Sequence, residues 1–373
     1  MTTWNPSSAN ITRLTSDQVA KIQSKLAPPV EGRYYADAVF EGGGVKGTAF
    51  LGALRCFDDA GIHLRKVAGT SAGAITAAMV AAGFAIDELE TIIGQLDYEA
   101  QFLSQKTSRL IFNGSPDDDL QNPVWMLANL FAARQMGQYS SEPFKEWLST
   151  QLATKAAGTP LTFGMIANRM KEVKVKPEEI PWPQQRAVKV VVSDISRGEM
   201  LVLPDDLPPL EQANFSVAEA VRLSMSIPFF FEPGQLKGSM IVDGGILSNF
   251  PLWIYDAEPG RKPRCPTFGF QLVNAEDEAP RPIEGVADLV VGMFATMQSG
   301  RDRRHQREND QGRIIDIDTL GISTTDFGLS NEDKSHLYQK GYESTKAFLL
   351  NQWSWQAHLE ARGFKEKETQ FVT

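Results

Sequence analysis

Residues 34–84 carry the same local grammar twice: a short apolar run, a glycine turn, then small and apolar residues at helical spacing. "YYADAVF" (34–40) reads as a strand that runs into "EGGGVKG". Residues 46–60 read as a helix ended by Gly61. "LRKVAG" (64–69) reads as the next strand, and "SAGAITAAMVAAGF" (71–84) as a helix whose small residues on every side predict burial. Strands and helices alternating over so short a span predict an α/β fold with a parallel sheet. Further strands are expected at 186–193, 239–242 and 266–272. None is expected between Asp97 and Pro160, which reads as a helical insertion or cap. Residues 1–33 read as an N-terminal extension with a short helix over Asp17–Leu26, 34–350 as one domain, and 351–373 as an end helix with a polar tail.

Composition narrows the chemistry. Of 373 residues 42% are apolar, enough for a sizeable core. A net charge of −9 lacks the basic footprint that nucleic acid requires, so no nucleic-acid polymer is expected as a partner. Cys56 and Cys265 stand far apart, with no C-x-x-C and no Cys/His cluster. That argues against a structural zinc site and suits a reducing, cytoplasmic setting. The N-terminus has no basic region followed by an apolar core, and the longest apolar stretch, Ala72–Ile86, is too short to read as a membrane span.

Three glycine-marked turns are candidates for chemistry. "GTSAG" (69–73) fits G-x-S-x-G between a strand and a helix. Such a turn presents the serine hydroxyl at the sheet end and aims the following helix's amides at any anion formed there. The plain alternative is a turn with Ser71 as helix N-cap. Gly42, Gly44 and Gly47 satisfy G-x-G-x-x-G, but the next strand ends without the acid that a dinucleotide ribose requires. The order Lys46-Gly47-Thr48 does not make a phosphate-binding P-loop. An oxyanion hole facing Ser71 remains, with a simple packing turn as the alternative. The four histidines, His63, His305, His336 and His358, all read as exposed, so the search for a base turns to carboxylates. In "SMIVDGGILSNFP" (239–251), Asp243 closes a strand before Gly244 and Gly245; it is a base in the right place or a turn aspartate.

Taken together, the turns at Gly42–Gly47, Gly69–Gly73 and Asp243–Gly245 resemble the three motifs of the bacterial patatin-like phospholipases. "VAEAVRLSMSIPFFF" (217–231), with Pro228, and the blocks at 136–148, 162–166, 190–206 and 326–349 resemble that family's stretches in order. The resemblance covers about 35–350. It implies a three-layer sandwich: a central, mostly parallel sheet, helices on both faces and a helical cap insertion. It implies a Ser71–Asp243 dyad cleaving fatty acyl esters of (phospho)lipids, with no cofactor and no metal. It places the oxyanion hole at Gly42, Gly43, Gly44 and Ala72, supported by Lys46, Gly47, Gly69, Gly73, Gly244, Gly245 and Pro228. Lys46 reads equally as a solvated lysine. A neutral-lipid esterase with the same dyad, or a catalytically silent lipid-binding regulator, are the competing readings.

The implied partner is membrane phospholipid, met peripherally at the membrane. A small-molecule or protein activator, a homo-oligomer and non-classical secretion as an effector are further expectations of the resemblance. "VWMLANLFAARQM" (124–136), after an N-cap-like Asn122 and Pro123, reads as a membrane-contacting helix or as ordinary core. "RDRRHQREND" (301–310) reads as a solvated helix face or as a patch for anionic head groups.

Overall fold

The computed structural model describes residues 4–103, 136–167, 185–258, 260–274, 296–297, 308–324 and 326–364. The strands are β1 (Tyr34–Phe40), β2 (Ile62–Thr70), β3 (Gly137–Tyr139), β4 (Ala187–Asp194), β5 (Glu199–Leu203), β6 (Phe229–Phe231), β7 (Gly234–Leu236), β8 (Ser239–Asp243), β9 (Thr267–Val273) and β10 (Ile314–Asp318). The main sheet runs β10-β9-β1-β2-β4-β8-β7, with β5 on β4; β3 and β6 form a separate pair. Its five strands from β10 to β4 are parallel. β5, β7 and β8 add antiparallel ribbons at one side.

The central strands are buried on both faces, which is why they read as continuous apolar runs rather than as alternation. On one face lie α2 (Thr48–Asp59), α3 (Ala72–Ala81), α5 (Val217–Ser224) and α6 (Asn331–Asn351), which with α1 (Ser16–Gln23), α4 (Ile86–Gly94) and α7 (Trp355–Ala361) are the helices named below. Their core is built on aromatic rings: Phe40 stacks on Phe270 at 4.9 Å between centroids, and Phe57 meets both Phe268 and Phe270 edge-on. The opposite face carries Val39, Ala68, Val191 and Ile314. Val202 of β5 extends it beside Val191, and Phe250 and the helical turn Leu252–Tyr255 cover it. This is the expected class, an α/β sandwich about a mostly parallel sheet.

The strands expected at 34–40, 64–69, 186–193, 239–242 and 266–272 all form, each within two residues of the expected bounds. The segment 97–160, expected to hold no strand, contains β3. Three residues, Gly-Gln-Tyr, carry no period, and their partner is Phe229–Phe231, ninety residues further along. β5, β6, β7 and β10 also escape the sequence reading. The membrane-contact helix falls outside the described residues except for Met136, which is 57% exposed. Residues 301–307 of the basic stretch, with His305, also lie outside them. Among the described residues no helix is long and apolar enough to cross a membrane.

The N-terminal extension packs onto the domain. α1 starts with a reciprocal Thr15–Gln18 capping box. Upstream, buried Trp4 donates from Nε1 to Ser335 Oγ (2.9 Å) on α6, sets its ring edge-on to Tyr338, and donates its amide to the Gly94 carbonyl (3.3 Å) at the end of α4. Trp4→Ala is therefore expected to cost about 3 kcal/mol, the low end for a buried tryptophan. Chemical denaturation measures it; an unchanged midpoint would mean that the extension lies outside the cooperative unit.

Candidate active site

β4 runs on past the end of its neighbour β2 along one edge. β2 pairs with it up to Thr70, opposite Val191. β8, running the other way, begins its pairing at the next position, with Asp243 opposite Val192. β5 occupies residues 190–194 of β4 on the opposite edge, so β2 and β8 share one edge and their C-terminal ends meet head-on. Ser71 follows β2 directly, and Asp243 ends β8. Across that junction the Ser71 side chain comes within hydrogen-bonding reach of the Asp243 carboxylate. Thr70 Oγ1 donating to the Ser248 carbonyl (3.0 Å) and Ser193 Oγ to the Gly244 carbonyl (3.3 Å) tie the two ends to their surroundings.

The turn at Ser71 is strained. Its backbone has φ 52° and ψ −124°, a region that residues with a side chain rarely occupy. Three contacts hold it there. Its amide donates to Ser224 Oγ (2.9 Å) on α5, and Ser224 passes the bond to the Val191 carbonyl (2.6 Å). The amides of Ala74 and Ile75 close on the Ser71 carbonyl. The first turn of α3 presses onto β1: a Cβ on Gly73 would stand 2.2 Å from the Phe40 carbonyl oxygen, and one on Gly69 would strike Gly73. That close approach is why G-x-S-x-G carries glycines at both ends.

Asp243 is 1% exposed. Burial pushes its carboxyl up to about 6, against the opposing pull of hydrogen bonds from Ser71 and from the Gly245 amide (2.7 Å). That bond also makes Asp243 the N-cap of the turn Gly244–Ile246, so both sequence readings of this aspartate hold at once. Gly244 packs on the Val191 carbonyl.

The glycine loop is sewn to the strand ends beside it. Gly42 donates its amide to the Asn249 carbonyl (3.0 Å) and receives Asn249 Nδ2 on its own carbonyl (3.1 Å). The Glu41 carboxylate takes Asn249 Nδ2 (3.3 Å) on one oxygen and the Leu272 amide (2.6 Å) on the other. Gly44 has φ 55° and lies against the Thr324 carbonyl, which accepts the Val45 amide (3.2 Å). Among the described residues the amides of Gly43, Gly44 and Ala72 donate to no acceptor. The Gly42 amide is engaged with Asn249 and is not available, which removes it from the expected donor set. Gly47 lies against Ala72; Lys46 and Pro228 do not line the site, although Ile227 beside Pro228 does.

Ser71 opens onto a narrow apolar cavity of about 60 Å³. Ala72, Ile75, Thr76 and Met79 form one wall along α3, and Phe102, Phe231 and Phe327 close a side. No histidine lines it. His63 and His336 are exposed as expected, whereas His358, read as solvated, is 6% exposed. It packs between Trp353 and Trp355, and burial lowers its basicity to about 3. Among the described residues no group of three or more His, Cys, Asp or Glu could hold a metal ion. Ser224, Asn249 and Glu41 went unread as site residues; the one signal for them is small or polar residues abutting a proline or glycine motif.

The sequence profile of the patatin-like phospholipases matches residues 38–255. The uncharacterized protein YqhO of Bacillus subtilis is 34% identical over 328 residues, 86% of this chain and all of that one. A probable lipid hydrolase, 463L, of invertebrate iridescent virus 6 is 25% identical over 223 residues, 59% of this chain and 63% of its own. Among solved structures, VipD from Legionella pneumophila superposes with a TM-score of 0.50 at 18% identity, covering 88% of this chain and 70% of VipD, a likeness of fold.

If Ser224 and Asn249 hold the serine turn and the glycine loop, Ser224→Ala and Asn249→Ala should each slow covalent labelling of Ser71 by a fluorophosphonate at least tenfold. Removal of an oxyanion donor outright typically costs about 100-fold or more. Labelling at the wild-type rate by folded variants would assign both residues to packing alone.

Proposed function

The chain belongs to the patatin-like phospholipase family, and we propose that it hydrolyses fatty acyl esters of membrane lipids through Ser71 and Asp243. The observation that carries this is the meeting of Ser71 with a buried carboxylate at adjacent positions along the edge of β4; burial raises the proton affinity of that carboxylate to about 6. An aspartate at its ordinary pKa is a poor proton acceptor; one near 6 is matched to a serine at neutral pH. The probable lipid hydrolase among the relatives and the apolar cavity beside Ser71 support a lipid acyl group as the substrate part that enters.

Asp243 takes the hydroxyl proton as Ser71 Oγ attacks the ester carbonyl carbon. The carbonyl oxygen becomes an anion held by the amides of Gly43, Gly44 and Ala72, at the N-terminus of α3 whose dipole favours negative charge there. The C–O bond to the alcohol breaks, and the proton on Asp243 passes to the leaving oxygen. Water, deprotonated by Asp243, then attacks the acyl-serine, and the fatty acid leaves as Ser71 recovers its proton. Three fixed amides and a helix end supply the positive potential, so the reaction is expected to need no metal.

Ser71→Ala should abolish release of fatty acid from phospholipid vesicles, read by lipid mass spectrometry, while 5 mM EDTA, an excess over trace metal, leaves the rate on a soluble ester unchanged. The same assay run with triglyceride emulsion separates phospholipid from neutral-lipid preference. Loss of activity in EDTA would overturn the amide-only mechanism.

The base must be ionised, so kcat/KM should rise with pH through about 6 and level off above it. The same residue has an opposite effect on stability. Its folded pKa lies above the ordinary 3.8, so the stability it contributes is complete below 3.8 and is lost as pH rises through about 6. At 1.36 kcal/mol for each pKa unit, about 3 kcal/mol is at stake above pH 6. Asp243→Asn should therefore be inactive and yet melt above the wild type at pH 8, with the difference shrinking towards pH 4. An inactive variant that melts lower at pH 8 would show that the carboxylate is not destabilising.

A further inference from the structure

We propose that the cavity is a ruler for acyl chains of about eight to ten carbons, with Met79 as its stop. The inference rests on the acyl-hydrolase reading of Ser71 and deepens it. Ala72, Ile75, Thr76 and Met79 fall on one stripe of α3, and all four line the cavity that begins at Ser71. From Ala72 to Met79 the helix advances seven residues at about 1.5 Å each, so the wall is about 10 Å long. Carbons joined by bonds of about 1.5 Å at tetrahedral angles advance about 1.25 Å each, so about eight fit beyond the carbonyl.

Met79, the last residue of that stripe to line the cavity, is buried, and Leu89 and Ile93 of α4 line the same cavity. Beside them α4 is fixed to α2. One turn past the cavity-lining Leu51, Arg55 donates from Nε to Glu90 Oε1 (2.9 Å), and Tyr338 Oη donates to the same oxygen (2.6 Å). A chain long enough to press α4 away from α2 would have to part a buried ion pair, so excess carbons are expected to stay at the mouth.

The walls also say which part of a lipid enters. The hydroxyls that line the cavity are engaged within the protein. Thr48 Oγ1 donates to the Val45 carbonyl (3.1 Å) and lies 3.1 Å from Tyr98 Oη, while Thr76 Oγ1 reaches the Ala72 carbonyl (3.4 Å). Beyond the Gly44 and Ala72 amides at the mouth, a polar head group would lose water and gain no partner, whereas a methylene chain loses nothing.

Binding tests the ruler without turnover. In full-length Ser71→Ala protein, the affinity for saturated fatty acids of 6 to 16 carbons is measured by calorimetry. It should rise about fourfold for each added carbon, as burial of a methylene predicts, and stop rising at about eight to ten. Met79→Ala should move the break two or three carbons longer, and Met79→Phe should move it shorter. Leu89→Ala, which enlarges the same cavity from α4, is the second route should either Met79 variant fold poorly. A rise that continues to 16 carbons, or a break that none of the folded variants moves, overturns the ruler. Inactivity of the wild type towards every ester, with the break and its shifts intact, would instead overturn the hydrolase reading and leave the ruler standing.

Discussion

Everything at the site depends on one strand having room for two partners on the same edge. β4 pairs with β2 until Val191 and with β8 from Val192. Two chain segments more than 170 residues apart therefore end at adjacent positions, and each ends in a turn that frees its last side chain. The arrangement explains why both turns are glycine-rich. Each strand must stop sharply, because the other occupies the next position on the ladder, and the backbone then approaches its neighbours more closely than a Cβ permits. The serine's positive φ is the cost of that sharp stop, and Ser224, bridging the Ser71 amide and the Val191 carbonyl, ties the strained turn to the very strand that imposes it.

A second consequence is electrostatic. Because the junction lies inside the sheet, Asp243 is buried with hydrogen bonds and, among the described residues, without a cation. Other buried carboxylates are treated differently: Asp37 meets Arg65 (2.9 Å), and Glu90 meets Arg55 and Tyr338. Those pairs satisfy charge with charge and bind elements together. Burial raises the proton affinity of Asp37 as well, with Arg65 and the Lys66 amide opposing it; at Asp243 the opposing contacts are hydrogen bonds alone. What sets Asp243 apart is that it faces Ser71 rather than a salt-bridge partner.

The glycine motifs were legible in the sequence because their constraint is local: a turn with no space for a side chain must be glycine wherever the rest of the chain goes. The strands at 34–40 and 64–69 were legible for a similar reason, as unbroken apolar runs between turns. What the sequence hid depends on distant pairing. Asn249 matters only because the fold sets it beside Gly42, and Glu41 only because Leu272 and Asn249 arrive within reach of its two oxygens. A single asparagine or glutamate has no period and no spacing to betray it. β3 was hidden because three residues become a strand only through Phe229–Phe231. His358 was misread because its burial comes from tryptophans on either side, in a segment whose composition is that of a polar tail.

α3 joins the chemical and the recognition ends of the site. Its N-terminus delivers the Ala72 amide and the positive end of the helix dipole to the place where an oxyanion would form. Its cavity-facing stripe then continues inward as the wall that a lipid chain would follow. Both depend on the same sequence property, a run of alanines and glycine with few bulky side chains: "SAGAITAAMVA". Small residues on the sheet side let the helix sit close enough for Gly73 to touch β1, which fixes the serine. Small residues on the other side leave space that Ile75 and Met79 only partly fill. A helix of larger residues would pack as stably, but it would stand further from β1 and close the cavity. The serine's geometry and the space for a chain beside it thus follow from one choice of side-chain size.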